Sequence, residues 1–136
     1  FVYRRRRPFH PERWHRWLEL FPEEIVRAKG FFWLAGREFV GLLSQAGVSL
    51  QFQAAGNWLA DLPVHEREKI LREDPAMQEK WNDEFGDRMT ELVLIGMDMD
   101  CEEIERELDA CLLTDGEMAQ DWRKFNDPLP KFVVAS

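Results

Sequence analysis

The chain has 136 residues, 45% of them hydrophobic, with six Trp and ten Phe, which suits one folded domain able to bury a core without metals or disulfides. The net charge of −8 argues against non-specific nucleic-acid binding, which lives on phosphate contacts. No apolar run approaches the ~20 residues that span a bilayer, and no charged segment followed by an apolar one opens the chain as a secretory signal would.

Phe1-Val-Tyr-Arg-Arg-Arg reads as a strand with no lead-in, as in a piece of something longer. Pro11 sits where a helix tolerates proline, in its first turn. Trp14, Trp17, Leu18 and Phe21 then keep helical spacing, so Pro11–Phe21 is an amphipathic helix with an aromatic core stripe, and Pro22 ends it. Ile25–Ala35 alternates as a strand does. Val26, Ala28, Phe32 and Leu34 make its expected core face, while Arg27, Lys29, Phe31 and Trp33 make a basic and aromatic one. Gly36-Arg37-Glu38 is a turn. Phe39–Ala46 and Ser49–Ala54 follow as two strands, or as one bent at Gly47, with Leu50, Phe52 and Ala54 inward.

Pro63 to about Trp81 is a charged helical stretch with sparse apolar residues and an interrupting Pro75, an expected surface insertion. Phe85-Gly-Asp is a turn and Glu91–Gly96 a strand of buried type. Asp100 N-caps a helix with Glu103 completing a capping box, and Ile104, Leu108, Cys111 and Leu112 form its apolar stripe. Thr114 and Glu117 cap a further short helix that Asp127-Pro-Leu-Pro130 stops, before a terminal strand or tail at Phe132–Ala135. The expected fold is α+β, a mainly antiparallel sheet in the order β-α-β-β-(α)-β-α, of ferredoxin-like type. Helices cover one face and the other stays at least partly open.

Charge is unevenly spread. Residues 1–37 hold nine Lys/Arg against four Asp/Glu, and the remainder nine against twenty-two. That suggests an oriented surface or, more plainly, solvated faces. Glu102, Glu103, Glu105, Glu107 and Asp109 read as one such face. Chemistry is sparse. No G-x-x-x-x-G-K-[ST] loop occurs to cradle phosphates. Cys101 and Cys111 share one helix, ~15 Å apart, beyond the ~7 Å a disulfide allows, so they fit a reducing cytoplasm. The histidines His10, His15 and His65 lack a metal-ligand spacing. His10, His15 and Cys101 are the metal candidates, and Cys101, at a helix start, is the more reactive thiol, with no motif to give it a role.

Three blocks carry a resemblance: Tyr3-Arg-Arg-Arg-Arg-Pro-Phe-His-Pro-Glu-Arg13, Arg27-Ala-Lys-Gly-Phe-Phe-Trp-Leu-Ala35, and Gly86-Asp-Arg-Met-Thr-Glu-Leu-Val-Leu-Ile-Gly96 with the helix ending Ala110-Cys-Leu-Leu-Thr114. In order and spacing they resemble the C-terminal domain of the CobW family of P-loop GTPase metallochaperones, from Phe1 to about Thr114. The resemblance implies one such domain over 1–136, with a helical insertion at about 63–81 and a tail at about 115–136. It implies a GTPase domain elsewhere that holds GTP, Mg and the metal-responsive Cys-x-Cys-Cys motif, so no catalysis and no resident cofactor are expected of this chain. The implied cargo is a transition metal such as zinc or cobalt. The implied partners are the GTPase domain and a client metalloprotein, contacted through Tyr3, Arg27, Lys29 and Trp33, since aromatics give desolvated area and cations direction. The competing placement packs Phe31 and Trp33 under the insertion or the tail. An exposed first-strand edge invites a homodimer by strand pairing. The alternatives are a free-standing interaction domain and single-stranded RNA binding. In the RNA reading Lys29-Gly-Phe-Phe-Trp-Leu stacks bases and Arg4–Arg7 hold phosphates, although Phe32 stands where that element needs a small residue.

Overall fold

The computed structural model describes residues 1–47 and 49–129 and the backbone of 133 and 134. Its strands are β1 (Val2–Arg5), β2 (Ile25–Phe32), β3 (Phe39–Ala46), β4 (Ser49–Asn57), β5 (Thr90–Gly96) and β6 (Val133–Val134). Its helices are α1 (Pro11–Glu19), α2 (Val64–Glu73), α3 (Pro75–Lys80), α4 (Cys101–Cys111) and α5 (Asp115–Met118). The sheet order is β1-β5-β2-β3-β4-β6. Every pairing is antiparallel except β4 with the short β6. β5 lies between β1 and β2, so β1-α1-β2 is a split β-α-β unit, and the expected α+β class holds. Among the described residues no helix is long and apolar enough to cross a membrane.

Local chemistry starts the elements where the sequence places them. The His10 side chain accepts the Glu12 N–H at 3.2 Å as α1 begins on Pro11. Asp100 accepts from Glu103 N at 3.1 Å at the head of α4. Thr114 and Glu117 form the full capping box of α5. Pro75 starts α3 rather than merely interrupting a longer helix. Gly47, at φ +59°, turns the chain so that Ala46 pairs with Ser49 in a hairpin, giving two strands and not one bent strand.

The core lies between the sheet and the α1/α4 layer. Trp14 is fully buried, stacked on Phe9 at 4.3 Å and on Trp17 at 5.6 Å, with Phe32 tilted against it. Ile104, Leu108 and Cys111 close it from α4. Burial pushes the Cys111 thiol up to about 11, so it packs as a small hydrophobe. One strand face departs from expectation. A β-bulge between Ile25 and Arg27 gives Ile25 the core position and turns Val26 out, 49% exposed. The insertion helices α2 and α3 bury no residue.

The uneven charge is largely spent inside the molecule. Arg4 pairs with Glu91 (3.1 Å), Arg5 with Glu105 (2.5 Å) and Asp109 (2.8 Å), and Arg7 with Asp115 (2.8 Å). Arg13 pairs with Glu117 (2.5 Å) and Arg37 with Asp127 (2.6 Å). Arg6 donates to the carbonyls of Gly86, Arg88 and Lys80. The basic first third is thus a clamp on the acidic remainder, and it holds residues 113–129 against the domain. Arg37 also reaches the Leu129 carbonyl at 2.8 Å, and Leu129 enters the core. Of the expected strand at Phe132–Ala135, Val133 and Val134 pair with Gln53 and Ala54, and Phe132 and Ala135 lie outside the described residues.

Glu117 is the acid-sensitive link in this clamp. Hydrogen bonds from Arg13, and then from the Thr114 backbone, hold its carboxyl at about 2, below its ordinary 4.5. A depressed carboxylate contributes stability above its unfolded value and loses it as pH falls through the folded one. Amide protection across 113–125, taken relative to the intrinsic exchange rate at each pH, should therefore fall between about pH 4.5 and pH 2. Glu117→Gln should lower that protection about tenfold already at pH 7, the scale of a lost charged hydrogen bond, and should remove the acid step. An unchanged acid step in the variant would refute the assignment.

Candidate functional site

The register places the uncovered face of the sheet in rows. One runs Val2, Val93, Lys29, Ser44, Gln51 and the next Arg4, Glu91, Phe31, Leu42, Gln53. Ile95, Arg27, Ala46 and Ser49 form a third. Val2, Val93 and Ile95 are 43%, 40% and 53% exposed. The large exposed apolar side chains of this face sit on β1 and β5, and half-buried Phe31 and Leu42 continue it onto β2 and β3. Arg27, Lys29, Gly30, Phe31, Glu91, Val93 and Ile95 line a shallow depression between β2 and β5. The β4 side of the same face carries exposed Ser49, Gln51 and Gln53. Arg27 and Lys29 are exposed, and neither has a carboxylate within ion-pair distance among the described residues. They differ in this from Arg4, Arg5, Arg7, Arg13 and Arg37.

Two of the four residues expected on this face lie elsewhere. Tyr3 shares its row with Leu92, Gly30 and Leu43 on the helix-covered side, and it is 1% exposed. Its hydroxyl donates to Asp109 of α4 at 2.7 Å, and burial, followed by that bond, pushes its pKa up. Trp33 is 3% exposed, edge-on to Phe85 at 5.6 Å and to Trp122 of the tail at 5.9 Å, and its N–H is held by Thr90 Oγ1 at 3.0 Å. Phe31 is half-buried beside Trp58, with Lys80 Nζ 5.9 Å above its ring. The competing placement of Phe31 and Trp33, under the insertion and the tail, is the one observed. Arg27 and Lys29 stay on the open face. The sequence reading passed over Val2, Val93 and Ile95, although the alternation of Val93 and Ile95 with Leu92 and Leu94 marks them as a second face.

The metal candidates are not brought together. His10 uses Nδ1 as a helix cap, and its Nε2 lies 3.8 Å from Glu117. Burial, with Arg13 nearby, lowers its pKa. His15 pairs with Glu19 at 3.2 Å along its own helix. The His10 N–H bonds the Cys111 carbonyl at the end of α4, whereas Cys101 begins that helix, ~15 Å away. Among the described residues no three His, Cys, Asp or Glu side chains are placed to hold a metal ion. Arg4–Arg7, the phosphate donors of the RNA reading, each have a partner within the chain.

The family model for the cobalamin synthesis protein cobW C-terminal domain matches residues 1–112. The chain is 40% identical to the zinc-regulated GTPase metalloprotein activator 1 of Dictyostelium discoideum, over 95% of this chain and 29% of that protein. It is 38% identical to a zinc chaperone of Mycobacterium tuberculosis, over 90% of this chain and 32% of that protein. It therefore spans about a third or less of these relatives. Among solved structures, the Zn(II)-bound YjiA GTPase from E. coli shares the fold, with a TM-score of 0.56 and 16% identity over 82% of this chain and 28% of that one.

Proposed function

The chain belongs to the CobW C-terminal domain family, and from that membership we propose that it is the accessory domain of a GTP-dependent metal chaperone. In this reading a GTPase domain elsewhere binds GTP and Mg and hydrolyses the nucleotide. A transition metal, zinc or cobalt, is the cargo. The present domain supplies contact with the GTPase domain or with a client metalloprotein, in the cytoplasm, where its two free cysteines stay reduced. This division of labour is supported by the absence of a phosphate-binding loop in the sequence.

One observation carries the contact role: Arg27 and Lys29, with no carboxylate in ion-pair distance among the described residues, stand beside exposed Val93 and Ile95 on the part of the sheet face that α1 and α4 leave open and the insertion does not reach. Solvent-facing cations over apolar area give a partner both desolvated contact and orientation. In the natural gene product, Arg27→Glu with Lys29→Glu should lower GTP-dependent zinc transfer to a client at least tenfold. The thermal midpoint should stay within about 2 °C, because surface substitutions of this kind change stability by about 0.5 kcal/mol or less. Unchanged transfer would remove the face from the mechanism.

A further inference from the structure

We propose that the open face seats an acidic amphipathic helix of a partner protein, lying along β2 and β5, with carboxylates on Arg27 and Lys29 and apolar side chains on Val93 and Ile95. The proposal rests on the contact reading above and adds the chemistry of what is contacted.

Width is the first argument. The large exposed apolar side chains, Val2, Val93 and Ile95, sit on β1 and β5 next to the cations of β2; beyond β2 the face offers only half-buried Leu42 and exposed Ala46 among Ser44, Gln51 and Gln53. Three strands at ~4.8 Å spacing span ~10 Å, the diameter of one helix with its side chains. Spacing is the second. Arg27 and Lys29 are alternate strand residues, ~6.7 Å apart along β2. Carboxylates at i and i+4 of a helix are ~6 Å apart along its axis, so both pairs form at once when helix and strand run together. Ile95 and Val93 lie level with Arg27 and Lys29 in the neighbouring strand, so the apolar positions of the same helix that meet them are i−1 and i+3, within ~2 Å of those levels.

Charge selects the sign. Arg4, Arg5, Arg7 and Arg13 of the first block are paired with carboxylates within the chain, and the chain as a whole is −8. Two uncompensated cations on one apolar face are therefore complementary to a carboxylate-bearing partner and repel a basic one. The other face of this sheet is already closed by α1 and α4, so a third layer completes a helix–sheet–helix stack.

A second copy of this chain fits less well. Its own acidic helix, α4, turns Ile104, Leu108 and Cys111 into its own core and has no outward apolar stripe to offer. Seating α4 on the open face would also be a head-to-tail contact that does not close. Strand addition at β1 is disfavoured because Arg5 Nη1 occupies the Arg4 carbonyl at 2.8 Å.

The test places a photo-crosslinking phenylalanine analogue at Val93 of the natural gene product in its own cells, with a control at Gln53, and maps the joined residues by mass spectrometry. The expected cross-link from position 93 falls on a helix bearing Asp or Glu four residues apart. Its yield drops at least tenfold in Arg27→Glu/Lys29→Glu and returns when those two carboxylates become Lys. Capture of a strand, a loop, a basic helix or a second copy overturns the proposal, as does no capture or a yield indifferent to charge reversal. Should the charge-swapped pair behave as expected while the captured protein is neither a GTPase domain nor a metalloprotein, the docking stands and the metal-chaperone reading fails.

Discussion

Gly30→Ala unfolds the sheet at its centre, with an expected loss of at least about 3 kcal/mol, most of the margin of a small domain. Gly30 has φ +153°, and a Cβ there would stand 2.1 Å from the Glu91 carbonyl oxygen and 2.9 Å from Leu92 Cα. Neither is a flexible side chain. Relief requires β2 and β5 to separate, and that pairing is what joins the two halves of the split β-α-β unit. Two further glycines calibrate the result. Gly56→Ala, at φ +97° with nothing within 4 Å, should cost only backbone strain, about 1 kcal/mol. Gly116→Ala, in the first turn of α5 with its nearest neighbour at 4.0 Å, should be neutral or stabilising by about 0.5 kcal/mol. Urea titration of the three variants checks the order, and a Gly30→Ala variant as stable as Gly116→Ala would contradict the strand pairing.

Trp33→Ala should lose about 3–5 kcal/mol, the range for truncating a buried large aromatic. Trp33 ties together the β2 end, Phe85 of the insertion side and Trp122 of the tail. Its removal therefore loosens residues 113–129 as well as the insertion. The measurement that separates this from a partner-contact role is the comparison with Arg27→Glu. The tryptophan variant should fail in thermal denaturation, while the arginine variant should melt normally. A Trp33→Ala chain with an unchanged midpoint would return that side chain to the surface.

Much of the architecture was legible residue by residue. The caps at Asp100 and Thr114, Pro11 at a helix start and the spacing of Trp14, Trp17 and Leu18 each act within a few residues, so the sequence carries them directly. The α1 and α4 core faces follow from the same local periodicity. The open cations Arg27 and Lys29 were also readable, because alternation along one strand needs no knowledge of the rest of the chain.

Alternation says which residues share a face, and it does not say which face is covered. One bulge moved Val26 out and Ile25 in. Register through β5 set Tyr3 beside Leu92 on the helix side, and the returning tail put Trp122 over Trp33. The arginine run looked like a surface feature until its partners were known, and those lie up to 106 residues away, as between Arg7 and Leu113. Local composition and periodicity determined the element types, the caps and the family blocks, since those depend on neighbours in the chain. Only the packed structure decided which cations remain unspent and which aromatics are sealed, because both depend on contacts between segments that the sequence lists far apart.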